Sequence, residues 1–200
     1  MSTIESQLAH ARSSFNERGE PAYLTRVELL RSLDEAPTTT ALGRARRASL
    51  ALACARECAH FWAPAGSDLE LRPVLDFAQA CLNERTMFAE LQDVAENLNV
   101  EVDDVLCAGE SHFRASYAGL ATVAAARTVV RDEILDDTVS GEIILAVPHW
   151  GSAFWASCAF AGGAVWEDDV DTDDEARRRF WLWYLDTAVP GVVSVRVHQP

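Results

Sequence analysis

The chain has 200 residues, 49% of them hydrophobic and 24% charged, which suits one compact domain and excludes a disordered polymer. No apolar run approaches the roughly 20 residues that span a bilayer. The net charge is −14, with 17 cations, all arginine, against 31 acids, a field that repels phosphate backbones and argues against nucleic-acid binding. The same field speeds encounter with a basic partner, although net charge also serves solubility alone.

The acid excess is uneven, with 10 Arg against 14 acids in residues 1–100 and 7 against 17 in residues 101–200. Met1 to Phe15 reads as an amphipathic helix without the basic start and apolar middle of a secretory signal, which points to a cytoplasmic protein. The five cysteines (Cys54, Cys58, Cys81, Cys107 and Cys158) form no C-x-x-C pair. Four of them lie in apolar helical surroundings, as buried free thiols do in reducing compartments.

Helical periodicity dominates the chain. Ile4, Leu8, Ala11 and Phe15 form one stripe of a first helix. Tyr23, Val27 and Leu30 open a second, with Pro37 setting a stop after Ala36. Thr40 suits the N-cap of a third helix over 41–62, apolar on nearly all sides and therefore central. Val74, Phe77, Ala78 and Cys81 follow behind Pro73, and Leu91, Val94, Ala95 and Leu98 mark a fifth helix. A sixth over 110–131 is rich in small residues, which lets helix axes approach closely.

A seventh helix spans 152–164 with Ser152 as its N-cap, and Thr172-Asp173-Asp174-Glu175 offers a capping box for an eighth. Trp181, Tyr184, Leu185 and Ala188 are the buried stripe of that eighth helix, which Pro190-Gly191 ends. The runs 143–147 and 192–197 have strand-like chemistry and could form one short pair. The reading is a single all-α domain, 1–200, of seven or eight helices, with at most that one strand pair. Leu8, Leu52, Phe77, Cys81, Leu91, Leu98, Tyr117, Phe154, Trp181 and Leu185 are expected in the core.

Chemistry-bearing patterns are sparse. Glu57-Cys58-Ala59-His60 has the E-x-x-H spacing of a di-iron half-site, but no second copy exists. Cys54 and Cys58 share a helix face from which His60 is turned about 200°, so they assemble no zinc site. There is no G-x-S-x-G elbow, no phosphate-binding glycine loop and no G-x-G-x-x-G fingerprint. No catalytic, cofactor or metal residues are therefore assigned, although a Cys–His pair formed only in space stays open.

The segment Glu167-Asp168-Asp169-Val170-Asp171-Thr172-Asp173-Asp174-Glu175 holds seven acids in nine residues. As a calcium loop it lacks the glycine at position six and the glutamate at position twelve. It serves either as a solvated anionic first turn or as a face for a basic protein. On the second reading Glu167, Asp168, Asp169, Asp171, Asp173 and Asp174 are the candidate partner-binding residues, with Glu167 to Asp171 facing the partner.

Two stretches carry a resemblance. Arg46-Arg47-Ala48-Ser49-Leu50-Ala51-Leu52-Ala53-Cys54-Ala55-Arg56, with Trp62, Asp68 and Arg72-Pro73 after it, resembles a bacterial immunity-protein family, the fifth numbered one of polymorphic toxin systems. Phe180-Trp181-Leu182-Trp183-Tyr184-Leu185-Asp186-Thr187-Ala188-Val189-Pro190 is similar to the C-terminal segment of that family. His60 stands where the family often has a proline. The resemblance implies a mostly helical, non-catalytic protein that binds a cognate toxin domain, which a basic character would suit, and protects the cell producing it. An enzyme with a site formed in space and a helical scaffold or adaptor are the alternatives.

Overall fold

In a computed structural model that describes residues 3–34, 40–63, 69–131, 151–167 and 170–194, the helical periodicity becomes helices along the chain. Thr3 caps α1 (Ile4–Ser13), its side chain accepting from the Ser6 N–H, and Leu8 and Ala11 are the buried face. α2 (Tyr23–Arg31) ends five residues before the expected stop at Ala36. Its end is set by Ser32, which donates through Oγ to the Leu29 carbonyl at 2.6 Å and turns the chain toward Asp34.

That turn delivers Asp34 to the start of α3 (Ala41–Cys58). Its Oδ1 accepts from the Thr40 N–H at 2.7 Å and from the Thr40 hydroxyl at 2.9 Å, while Oδ2 meets the buried Arg47 guanidinium at 2.7 Å. Thr40 in turn caps α3, accepting from the Gly43 N–H at 2.9 Å. A Cβ on Gly43 would lie 2.0 Å from the Asp34 carboxylate, so only glycine lets the pair close over the helix. α3 continues as a 3-10 turn, Ala59–Phe61, which accounts for the longer helix expected from periodicity.

α4 (Leu71–Glu84) carries Pro73 in its first turn and stops at Arg85, in a left-handed conformation with φ 55°. α5 (Phe88–Cys107) and a 3-10 turn at Glu110–His112 lead into α6 (Phe113–Val130). α6 packs against α3, α4, α5 and α7 (Ser152–Ala161), so it is the axis of the molecule. Its small residues make this possible: a Cβ on Gly119 would lie 2.3 Å from Val102 of α5 and 2.8 Å from Trp62. α8 (Asp174–Trp183) packs on α7, and α1 packs on α2.

Several helix-end expectations are corrected. The N-cap of α7 is Gly151, because the hydroxyl of Ser152 is buried and donates to the Ala51 carbonyl of α3 at 2.8 Å. The N-cap of α8 is Asp173 instead of Thr172, accepting from the Ala176 N–H at 2.8 Å. Pro190-Gly191 does not end the last helix, which widens into a π turn, Tyr184–Ala188, and continues as α9 (Val189–Ser194). In that wider turn the Val189 N–H reaches the Tyr184 carbonyl, so the helix is already off its regular register where Pro190 brings no donor.

Residues 192–194 are therefore helical rather than extended, while 143–147 and 195–197 lie outside the described residues. Among the described residues the extended pairing is a single bridge between Phe15 and Pro21. The protein is an all-α domain. Of the expected core residues, all are buried except Phe77, which is half-buried against the edge of the cluster.

Trp181, 1% exposed, packs edge-on against Phe180 and Tyr184 with centroids at 5.5 and 5.2 Å. Trp181→Ala should cost about 3–5 kcal/mol in a urea titration, because a hole of that size cannot close fully. Asp34 gives a pH signature. Burial opposes its ionisation, but the Thr40 N–H and the Arg47 guanidinium outweigh that and hold the carboxyl below its ordinary value. Its stabilising contribution is thus complete above the ordinary carboxylate range near pH 4 and is lost as pH falls through the lower folded value. Asp34→Asn should weaken folding at pH 7 and show a flatter acid limb than the parent in denaturation midpoints taken from pH 7 to pH 2.

Candidate partner-binding surface

The acidic segment begins where α7 is forced to end. Gly162 takes φ 82°, and the N–H groups of Gly162 and Gly163 both return to the Cys158 carbonyl, at 2.9 and 3.2 Å. The chain then loops outward and comes back, so that the Asp173 N–H donates to the Ala161 carbonyl at 2.9 Å. Arg177, fully buried, ties both ends of this loop. It donates to the Gly163 carbonyl at 2.9 Å, to the Arg18 carbonyl at 3.2 Å and to the Asp174 carboxylate.

Glu167 closes the loop from within. One carboxylate oxygen accepts from the Ala164 N–H at 2.6 Å and the other accepts a short hydrogen bond from the Tyr117 hydroxyl of α6. Burial, together with the bond to Glu167, pushes the Tyr117 phenol well above its ordinary range, so it remains a donor at every physiological pH. Glu167 is half-buried and turned inward, not toward solvent as the sequence suggested.

The other candidates divide between capping and exposure. Asp173 caps α8 and lies 3.8 Å from Arg179, and Asp174 pairs with Arg177 while accepting from the Thr172 hydroxyl at 3.1 Å. Asp171 is exposed. Asp168 and Asp169 lie outside the described residues. Next to the segment, Trp166 is 47% exposed, its ring stacked on Phe154 at 5.7 Å and edge-on to Trp155 at 6.1 Å. A large aromatic side chain, held by two others and left half in solvent beside carboxylates, is the kind of group that anchors protein interfaces.

A second acidic surface escapes a search for runs. α5 carries Glu90, Asp93, Glu96, Glu101, Asp103 and Asp104 without one basic residue. Asp93, Glu96, Val100 and Asp103 recur at helical spacing and are all exposed, with Val100 at 63%. The signal was present as periodicity, but the acids are spread over 20 residues instead of packed into nine.

Metal and nucleophile patterns remain scattered. Glu57 and His60 are both exposed, and the His60 ring lies against Phe61 and Phe160 at 4.0 and 6.1 Å. Among the described residues, no three His, Cys, Asp or Glu side chains converge as metal ligands. Burial pushes the thiols of Cys54, Cys58 and Cys158 well up, which makes poor nucleophiles of them. No helix among the described residues is long and apolar enough to cross a membrane.

Comparison with known families places this all-α molecule among the immunity proteins, a class associated with toxins and generally not catalytic. The family model for immunity protein Imm5 matches residues 7–191, and the chain belongs to that family. No curated protein matches it.

The internal role of Glu167 can be measured. Tyr117→Phe and Glu167→Gln should each lower stability by about 1.5–3 kcal/mol, the range for hydrogen bonds to charged groups. Paired thermal melts of the two single variants and the double variant should show that the effects do not add, since both remove the same bond.

Proposed function

We propose that this protein neutralises a cognate toxin domain by binding it through the acidic surface around residues 166–175, inside the cell that makes both. Family membership across residues 7–191 carries the reading, since immunity proteins have toxins as their partners. The charge of −14 adds that a basic toxin domain would be steered toward this surface.

The residues divide the work. Glu167, Asp173 and Asp174 position the loop and the start of α8, and Asp168, Asp169 and Asp171 supply negative charge for the encounter. Trp166 supplies the apolar anchor that turns encounter into residence, since rim charges act mainly on association and buried aromatics on dissociation. The exposed face of α5 widens the negative field without an aromatic group of this kind.

The partner to test is the toxin domain encoded by the adjacent gene, with growth rescue on co-expression as the first readout. In stopped-flow measurements, replacing Asp168, Asp169 and Asp171 with Asn should slow association and flatten its salt dependence, with folding stability nearly unchanged. Trp166→Ala should speed dissociation by roughly tenfold or more, as expected of an interface anchor. Unaltered association in the triple variant, alongside slower association when Asp93, Glu96 and Asp103 are neutralised, would move the interface to α5.

A further inference from the structure

A cavity of about 60 Å3 lies between α2, α3, α7 and the last helix. Its walls are largely apolar, with Val27, Leu50, Phe154 and Trp181 among them, yet Arg26 and Arg47 also line it. Arg47 has its carboxylate in Asp34. Arg26 has none among the described residues. Its guanidinium carbon sits over three rings, 5.8 Å from Tyr23, 5.4 Å from Phe154 and 5.3 Å from Trp181. Its Nε is sealed from solvent without a hydrogen-bond partner.

The aromatic faces attract the cation but offer no acceptor to its in-plane N–H donors, of which the one on Nε is sealed from solvent. Burial lowers the Arg26 pKa, and the field of Glu20 offsets this only in part. Glu20 forms no ion pair with Arg26 and does not line the cavity, and its own Oε2 is buried without a partner. Tyr184, 2% exposed, lines the same cavity within electrostatic reach of Arg26 and adds a hydroxyl donor. Buried donors in native proteins are almost always answered, and a sealed Nε on a guanidinium that lines a cavity leaves room for an acceptor from outside the chain.

The geometry narrows what that acceptor can be. A planar fork of N–H groups matches the two oxygens of a carboxylate. A single negative charge balances a single guanidinium, whereas a phosphate dianion would leave an uncompensated charge among apolar walls. One water needs roughly 10–15 Å3 of such space, so the cavity has room for a carboxylate with a short apolar tail. We propose that this cavity binds a short-chain monocarboxylate, with the carboxylate on the Arg26 guanidinium and the tail against Phe154 and Leu50.

Butyrate titrated calorimetrically into the full-length protein tests this, with butyramide as the uncharged isostere and ionic strength held constant. Butyrate should bind saturably at one site and raise the melting temperature. Butyramide, and butyrate added to the Arg26→Met variant, should each bind at least roughly tenfold more weakly. Equal binding of butyrate and butyramide, or equal binding to parent and variant, overturns the site. If Arg26→Met does not fold, the isostere comparison in the parent decides, together with a crystal structure grown with butyrate. A carboxylate within hydrogen-bond distance of Arg26 supports the assignment, and ordered waters alone on the guanidinium reject it.

Discussion

Everything in this molecule is arranged around the close packing of α6. A helix with Ala115, Ser116, Ala118, Gly119, Ala121 and Thr122 buried presents little side-chain bulk, so four other helices can approach it. The tightest point is Gly119, where Val102 and Trp62 already occupy the space of a Cβ. Dense packing of this kind leaves little freedom for a neighbour to shift. The position of Tyr117 is fixed as a result, and through its hydroxyl so is the position of Glu167. A carboxylate at the start of the acidic segment is in this way held by the centre of the helical frame.

Buried guanidinium groups form the second layer of organisation. Arg47 joins the end of α2 to α3, and Arg177 joins α8 to the α7–α8 loop and to the carbonyl of Arg18. Arg177 reaches 159 residues along the chain to Arg18, and both guanidinium groups meet a carboxylate and carbonyl oxygens, which offsets much of the cost of burying a cation, although the Arg177 Nε has no partner. Arg26 departs from this pattern, being surrounded by rings in place of oxygens. The contrast within one small domain is what makes its cavity stand out.

The segments that carry the family resemblance belong to the framework more than to the outer surface. Arg47, Leu50, Leu52 and Cys54 from the first stretch, and Phe180, Trp181, Tyr184 and Leu185 from the second, are all buried. Trp62 reaches in against Gly119 and donates its indole N–H to the Leu69 carbonyl at 2.7 Å. Such residues specify a fold. Trp166 and the exposed acids of α5 and of the 167–175 segment lie outside those stretches, where a partner surface can vary without disturbing the core.

The all-α class, the order of the helices and most of the core were legible in the sequence, because a 3.6-residue period is a local property that burial imposes on each helix separately. The Thr40 cap was legible for the same reason, since it acts within one turn. Helix ends set by distant partners were not: Ser152 gave up the cap position to reach Ala51, and the π turn carried the chain through Pro190 where local rules place a stop. Nor could composition reveal that Glu167 points inward to Tyr117, 50 residues away, or that Arg26 meets aromatic rings from three helices. The sequence by itself determined which residues leave water. Only the tertiary structure decided which buried charges meet an opposite charge, because that depends on the approach of elements whose separation along the chain carries no signal of their contact.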